Sequence, residues 1–216
     1  MVLMAIKDMY KVESIKSKET HDWILHKHYA KRIPSISYAF GLFNSDTLEG
    51  ICTFGSPASP SLCVGVCGTE YKGRVIELNR LCINDFLEDN VASFFVSSCL
   101  RGLNKSYVVV SYADKDMNHT GYIYQATNWI YTGATKERTD IGAEDNTHSR
   151  HYDKNLDYSK NRKKRSSKHR YVYFTGSKTQ KKNMLKNLKY EIQPYPKGKN
   201  KRYDASYKPT TQSKLF

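Results

Sequence analysis

YVVVSYADKDMNHTGYIYQATNWIYTG, residues 107–133, decides how this chain folds. Val108-Val109-Val110 is a continuous β-branched run of the kind a fully buried strand shows. The run gives way at Ser111-Tyr112-Ala113-Asp114, where polar groups arrive together. A short polar segment with Asn118, His119 and Gly121 follows. Tyr122, Ala126 and Trp129 then recur at i, i+4 and i+7 and predict an amphipathic helix. Ile130-Tyr131-Thr132 predicts a further strand, closed by Gly133. A buried strand, a polar strand end, a loop, a helix and a strand make an α/β unit. Such folds hold ligands beyond the carboxyl ends of their strands, where Ser111, Tyr112 and Asp114 fall.

Working upstream, RVIELNRLCI (74–83) predicts the central strand, and Asp89 or Asn90 caps a buried helix that runs to Leu103. SYAFGLF (37–43) and EGICTF (49–54) predict a hairpin. Between hairpin and central strand lies GSPASPSLCVGVCG (55–68), a small-residue loop whose length suits an active site better than a tight connection. Residues 10–17 predict a first strand. Thr20 then caps a helix carrying Trp23, Ile24 and Lys27, which ends near His26, His28 and Tyr29, with Lys31 and Arg32 before Pro34.

Downstream of Gly133 the pattern breaks. Residues 134–169 are nearly free of aliphatic side chains and carry HSRHYDKN and KNRKKRSSKHR, which predicts a long basic loop. YVYF (171–174) is a strand, residues 179–190 form a basic amphipathic helix, and the remainder is an extended tail. The expected organisation is a core over 1–133, a basic loop over 134–169, and a last strand, helix and tail over 170–216 that complete the domain.

The charge follows the same division. The chain has a net charge of +14; residues 1–134 hold 13 Lys+Arg against 13 Asp+Glu, and residues 135–216 hold 22 against 8. The whole excess lies in the second part, with aromatic residues interleaved, as a nucleic-acid surface needs; a solubilising tail is the plainer alternative. No apolar run is long enough to span a membrane, and the N-terminus is too short in apolar residues for a signal peptide. Five cysteines fit reduced thiols in a cytoplasm. Cys52, Cys63 and Cys67 suit small buried positions, with a zinc site as the alternative.

Several residues have both a chemical and a structural reading. Asp114 serves as a general base or as an acceptor for a substrate amine, or it makes an Asx turn. Ser111, three residues earlier, lies on the opposite face of an extended strand. His119 is a proton carrier or a cap for the following helix. Tyr124 and Asn128 share a helical face that points to a pocket or to water. His26, His28 and Tyr29, with Lys31 and Arg32, contact phosphate and a base, or mark a charged helix end. Glu77 and Arg80 are charges inside an apolar strand, where charges need partners, so Arg80 has a functional or network role. A nuclease metal site at Asp114, Asp116 and His119 lacks a further carboxylate.

The element order resembles the GCN5-related N-acetyltransferase (GNAT) fold, an α/β architecture with a central mixed sheet flanked by helices, here with a basic C-terminal extension. More closely, HYAKRIPS, FGLF, GSPASPSLCVGVCG, ELNRL and above all SYADKDMNHTGYIYQATNWIYTG, spanning roughly residues 26–138, resemble the phage Mom family. The resemblance implies an enzyme of the host bacterial cytoplasm. It would convert the N6 amine of adenine in double-stranded phage DNA to N6-carbamoylmethyladenine and so protect the DNA from host restriction. It implies catalytic roles among Asp114, Ser111, Tyr124, His28 and Arg80. Nucleic-acid contacts fall to Tyr29, Lys31, Arg32, Tyr112 and Trp129, and to Arg162, Lys163, Lys164, Arg165, Lys168 and Arg170 of the basic segment. Asn79, His119 and Asn128 would meet the donor. No metal is expected.

The fold implies acetyl-CoA as donor, but the glycine-rich pyrophosphate turn of many GNAT enzymes is replaced by NDFLEDNVASFF (84–95), which has no glycine and carries Glu88 and Asp89. A carbamoylmethyl group has the atoms of a glycyl group, so an activated glycine such as glycyl-tRNA is the alternative donor, and tRNA a second polyanionic partner. Two other classes stay open: an acetyltransferase of a protein or small-molecule amine, and a non-catalytic nucleic-acid-binding protein.

Overall fold

Among the described residues, β-branched and aromatic side chains place nine strands and five short helices. In order these are α1 (Ile6–Met9), β1 (Tyr10–Ser14), β2 (Tyr38–Asn44), β3 (Thr47–Gly55), α2 (Pro60–Gly65), β4 (Val75–Ile83), α3 (Val91–Gly102), β5 (Val108–Asp114), α4 (Tyr122–Ala126), β6 (Ile130–Ala134), β7 (Arg138–Ile141), β8 (Arg162–Arg165), β9 (Lys168–Phe174) and α5 (Lys178–Lys186). The computed structural model describes residues 5–85, 87–141 and 162–198. The seven-stranded sheet runs β1-β2-β3-β4-β5-β9-β6, and β7 pairs with β8 in a separate two-stranded ribbon. All neighbours in the large sheet are antiparallel except β4 and β5.

Apolar side chains leave the sheet on both faces. Phe95, Val96 and Cys99 of α3 and Tyr124 of α4 pack with Ile76, Leu78, Val109 and Ala113 on one face. Val75, Val108, Val110 and Val172 pack under Val66, Cys67 and Met184 on the other. Side chains alternate along a strand, so Ser111 goes with Val109 to the α3/α4 face, while Tyr112 and Asp114 go with Val110 to the opposite face. The odd spacing of Ser111 and Asp114 thus separates them across the sheet.

β4 and β5 pair over only three positions, Val75↔Val108, Ile76↔Val109 and Glu77↔Val110. Beyond them β4 keeps its ladder with β3, and β5 keeps its ladder with β9. The strands therefore part, and the sheet forks. A bulge between Thr53 and Phe54 skips Asn79 in the β3–β4 register and increases the local twist. The Asn79 side chain is tied by Thr53 Oγ1 (2.6 Å) and donates to the Ser35 carbonyl (2.8 Å).

Four predicted segments fold differently. The predicted helix after Thr20 is a 3-10 turn, Ser17–Thr20, followed by a π turn, Trp23–Lys27; Thr20 does not cap it but donates to Ser17 O (2.7 Å). The 55–68 segment holds α2, started by Pro60 at its first position, as proline's fixed φ favours. The segment predicted as a basic loop contains β7, β8 and the start of β9. These strands are rich in charged residues, so no apolar alternation announces them. Residues 142–161, also assigned to that loop, and the tail from 199 lie outside the described residues. The helix predicted through Trp129 stops at Ala126, and Asn128 turns the chain with φ 60°.

Gly55 ends β3 at the fork. A methyl group there would overlap the Ser35 carbonyl, which is held by Asn79. Gly55→Ala is expected to lower thermal stability and to loosen residues 28–35, which thermal melts and limited proteolysis would detect.

Candidate active site

The fork opens a cleft of about 1200 Å³ whose lining includes His28, Tyr29, Glu77, Tyr112, Asp114 and Lys168. The π turn delivers the first two: His28 N closes it on Trp23 O (3.0 Å), and π turns are frequent at functional sites. His28 and Tyr29 stack at 4.4 Å, and Tyr29 meets His119 edge-on at 5.9 Å. Arg80 fastens this loop. Its guanidinium donates to Arg32 O (3.2 and 2.7 Å) and to Asn79 O (2.5 Å).

Glu77 occupies the last paired position before the strands part. Among the described residues nothing hydrogen-bonds its carboxylate. Burial raises its pKa from 4.5 to about 7, against the opposing pull of Arg80, Lys168 and Arg32. It is a carboxylate poised to exchange a proton near neutrality. His28 is shifted the other way: burial first, then the positive charge of Arg80 and Lys168, lowers it to about 3, so its ring is neutral at pH 7. Burial raises Tyr29 to about 12 and also raises Tyr112. His119 is lowered by burial.

Asp114 is engaged on both oxygens. It pairs with Lys168, accepts from Ser166 Oγ (2.6 Å) and accepts from Asp116 N (3.1 Å). Burial alone would raise its pKa, but the Lys168 and Ser166 hydrogen bonds prevail and hold it below its ordinary value. A saturated, low-pKa carboxylate is a weak proton acceptor; Asp114 anchors the Ser166–Lys168 turn.

On the α3/α4 face, Ser111 Oγ donates to Leu78 O (2.8 Å) and lies 2.7 Å from the Tyr124 hydroxyl. Since the carbonyl can only accept and serine has one proton, the tyrosine donates to the serine. The pair bridges the first open rung of the fork. Burial raises the Tyr124 pKa, so the phenol stays protonated.

The remaining predicted residues divide. Asn79 and His119 line the cleft, as do Arg32, Arg165 and Lys168. Lys31 is exposed with φ 41°. Trp129 is fully buried against Tyr124 and Tyr173 and offers no free ring face for a base, whereas Tyr124, though buried, reaches the lining of the cleft. Asn128 is in the turn after α4 and does not reach the cleft. Arg170 points elsewhere: it donates to Thr132 Oγ1 (2.9 Å) and O (3.0 Å) and covers the Tyr190 ring at 3.4 Å. Lys164 pairs with Glu137 at 2.9 Å. Arg162 and Lys163 are placed in β8 by backbone register, opposite Ile141 and Asp140; their side chains lie outside what is described. Glu77 was missing from the predicted site although a carboxylate inside an apolar strand was its signal. Ser166 carried none.

Among the described residues no three His, Cys, Asp or Glu side chains converge on a point where a metal would sit. The cysteines are free thiols, and burial raises Cys63, Cys67, Cys82 and Cys99. No described helix is long and apolar enough to cross a membrane. The residues before α3 do not suit a pyrophosphate. Asp85, Glu88 and Asp89 precede it, Glu88 accepts from Tyr10 Oη (2.5 Å), and Asn90 starts the helix in the left-handed region at φ 69° with no side-chain cap.

A seven-stranded mixed sheet forked at its one parallel pair, with helices on both faces, is a GNAT-like acyltransferase fold. A solved structure from Acinetobacter baylyi ADP1, assigned as an acetyltransferase, matches it with a TM-score of 0.50 at 11% identity, covering 83% of this chain and 97% of that one. The family model of the Mom proteins matches residues 9–197, and the chain belongs to the Mom protein family. The curated relative methylcarbamoylase mom of Escherichia phage Mu is 27% identical over 205 residues, covering 87% of this chain and 83% of the relative.

Proposed function

We propose that this protein modifies double-stranded phage DNA in the host bacterial cytoplasm, converting adenine N6 to N6-carbamoylmethyladenine, with Glu77 as the proton acceptor. The observation that carries this reading is the Glu77 carboxylate: half-buried, with no hydrogen-bond partner among the described residues, its pKa raised to about 7, at the neck of a cleft. Adenine N6 is a poor nucleophile because its lone pair is delocalised into the ring, and it needs a base as it attacks. The name of the phage Mu relative supports the group transferred. A base within a duplex must be extruded to reach such a cleft, and the half-buried, cleft-lining rings of Tyr29 and Tyr112 are the available stacking faces.

The acidic approach to α3 disfavours a pyrophosphate donor, so no step runs through acetyl-CoA. An activated glycine ester such as glycyl-tRNA balances the atoms. N6 attacks the ester carbonyl and loses its proton to Glu77, and the tRNA hydroxyl leaves. The glycyl amine then attacks C6, the C6–N6 bond breaks, and the former N6 becomes the terminal amide nitrogen.

Mass spectrometry of nucleosides from bacteria expressing the protein tests this directly. The expected product is a carbamoylmethyl deoxyadenosine, absent in the Glu77→Gln variant. Adenine labelled with 15N at N6 should place the label in the amide. An acetylated base, or a reaction running on acetyl-CoA without aminoacyl-tRNA, would refute the donor. Unmodified DNA that the protein still retains, with tRNA and the phage's other proteins present, would instead favour the non-catalytic binder.

A further inference from the structure

We infer that α5 is a rail for the phosphate backbone of DNA, leading along the sheet to the cleft; the inference rests on the DNA reading above. Residues 176–190, GSKTQKKNMLKNLKY, hold five lysines and no Asp or Glu. Within α5, Lys178, Lys182 and Lys186 are spaced by four. At 3.6 residues per turn a step of four rotates the side chain by only about 40°, so the three form one row along the helix. All three are exposed. Met184, on the other side, is 1% exposed and packs with Val66, Cys67 and Val108.

A face that only had to be solvated would not be built this way. Like charges four residues apart destabilise a helix, and Lys178 stands in the first turn, at the positive end of the helix dipole. Acids on alternate turns would remove both effects, and α5 has none. Among the described residues none of the three lysines makes an ion pair or a side-chain hydrogen bond. The helix that carries them is nevertheless fixed. Met184 anchors it to the sheet, and a capping box starts it: Ser177 Oγ accepts from Gln180 N (3.3 Å) and Gln180 Oε1 from Ser177 N (2.8 Å). A rigid row of unpaired cations is complementary to a polyanion.

The direction of the row gives the partner. α5 begins beyond Phe174, which pairs with Val108 at the start of β5, and returns along the sheet toward the cleft end. Lys189, one turn past the helix, donates its N–H to Val66 O (2.9 Å). The next ring, Tyr190, is covered by Arg170 at 3.4 Å. Arg170 lies opposite Tyr112 in the β5–β9 ladder, and Tyr112 lines the cleft. The row thus ends beside the cleft, on the sheet face of Tyr112 and Asp114. Successive lysines stand about 6 Å apart along the helix axis, close to two nucleotide rises of roughly 3.4 Å each along a strand. An ammonium meets phosphate as a point charge and lacks the fork that reads a guanine edge, so this contact is independent of sequence. A duplex held against the cleft for extrusion of its base continues along α5.

The test titrates the full-length protein against a fluorescent DNA duplex over a range of salt concentrations. The triple variant Lys178→Gln/Lys182→Gln/Lys186→Gln, which keeps helix propensity, should bind at least about tenfold more weakly and lose between about two and three from the slope of log K against log salt. Its KM for DNA should rise while kcat at saturating DNA stays within about twofold of wild type. The triple Arg variant, which keeps the charge, should bind like wild type. Lys7→Gln/Lys16→Gln/Lys18→Gln removes equal charge from exposed positions flanking β1, at the edge of the sheet, and should leave affinity within about twofold. Equal losses in the two Gln triples, an α5 triple that binds like wild type, or an Arg triple that fails to bind would overturn the rail even if adenine is modified. Loss of tRNA binding with DNA binding intact would overturn DNA as its partner. Wild-type protein that neither retains DNA at low salt nor modifies it would overturn the DNA reading as well.

Discussion

Glu77→Gln is expected to reduce adenine modification by about 10²- to 10⁴-fold, the usual contribution of a positioned proton acceptor, while DNA retention stays at the wild-type level. Glutamine keeps the shape and removes a cleft carboxylate whose pKa is raised to about 7. In the wild type the rate at low substrate should climb with pH through about 7 and level off above it, because the deprotonated form is the active one. Stability should move the other way. The folded pKa lies above the ordinary 4.5, so the folded state binds this proton more tightly than the unfolded chain does. That stabilisation is complete below pH 4.5 and is lost as pH rises through 7. The variant should therefore melt higher than wild type at pH 8 and equally at pH 4. An active variant, or one whose melting shift ignores pH, would remove Glu77 from the mechanism.

Arg80→Met should abolish nearly all activity for a different reason. Arg80 is 8% exposed, and its bonds to Arg32 O and Asn79 O are what hold the His28–Ser35 loop against β4. Removing them strands carbonyls that a charged donor satisfied, costing on the order of 2–4 kcal/mol. Loss of position at His28 and Tyr29 adds about 10²-fold for each ångström of displacement. Arg80→Lys should not rescue, because one ammonium cannot reproduce a planar fork of donors. Whatever activity survives in the methionine variant should report on Glu77. Arg80 lowers the Glu77 pKa, so its loss should carry the pH-dependent limb to higher pH, whereas arginine retained in a charge-neutral role would leave the limb in place.

The sequence carried the sheet's interior and the order of its elements, because Val108–Val110 and the 74–83 strand are buried on patterns that only strands produce. It also located the polar end of β5. It did not carry the ribbon, since a run of four basic residues such as Arg162–Arg165 has no apolar alternation to betray its period. Nor did it rank the carboxylates. Asp114 stands at a strand end and looks chemical, yet Lys168 and Ser166 occupy it from 54 and 52 residues away. Glu77 stands inside an apolar run and is isolated only because β4 and β5 separate beyond it, a fact of long-range register. Trp129 was chosen for its ring, but aromatic rings fill cores as readily as they stack on bases.

That register has a consequence for how the protein can change. The separation of β4 from β5 leaves two facing rows of main-chain N–H and C=O groups beyond the paired stretch, with Ser111 occupying the first acceptor. Every amino acid but proline supplies the same two groups. The shape of the neck is therefore inherited through the spacing of a few glycine and bulge positions more than through the identity of the side chains around it. Substitutions can accumulate along both strands, altering which molecules fit, without closing the opening in which any of them would react.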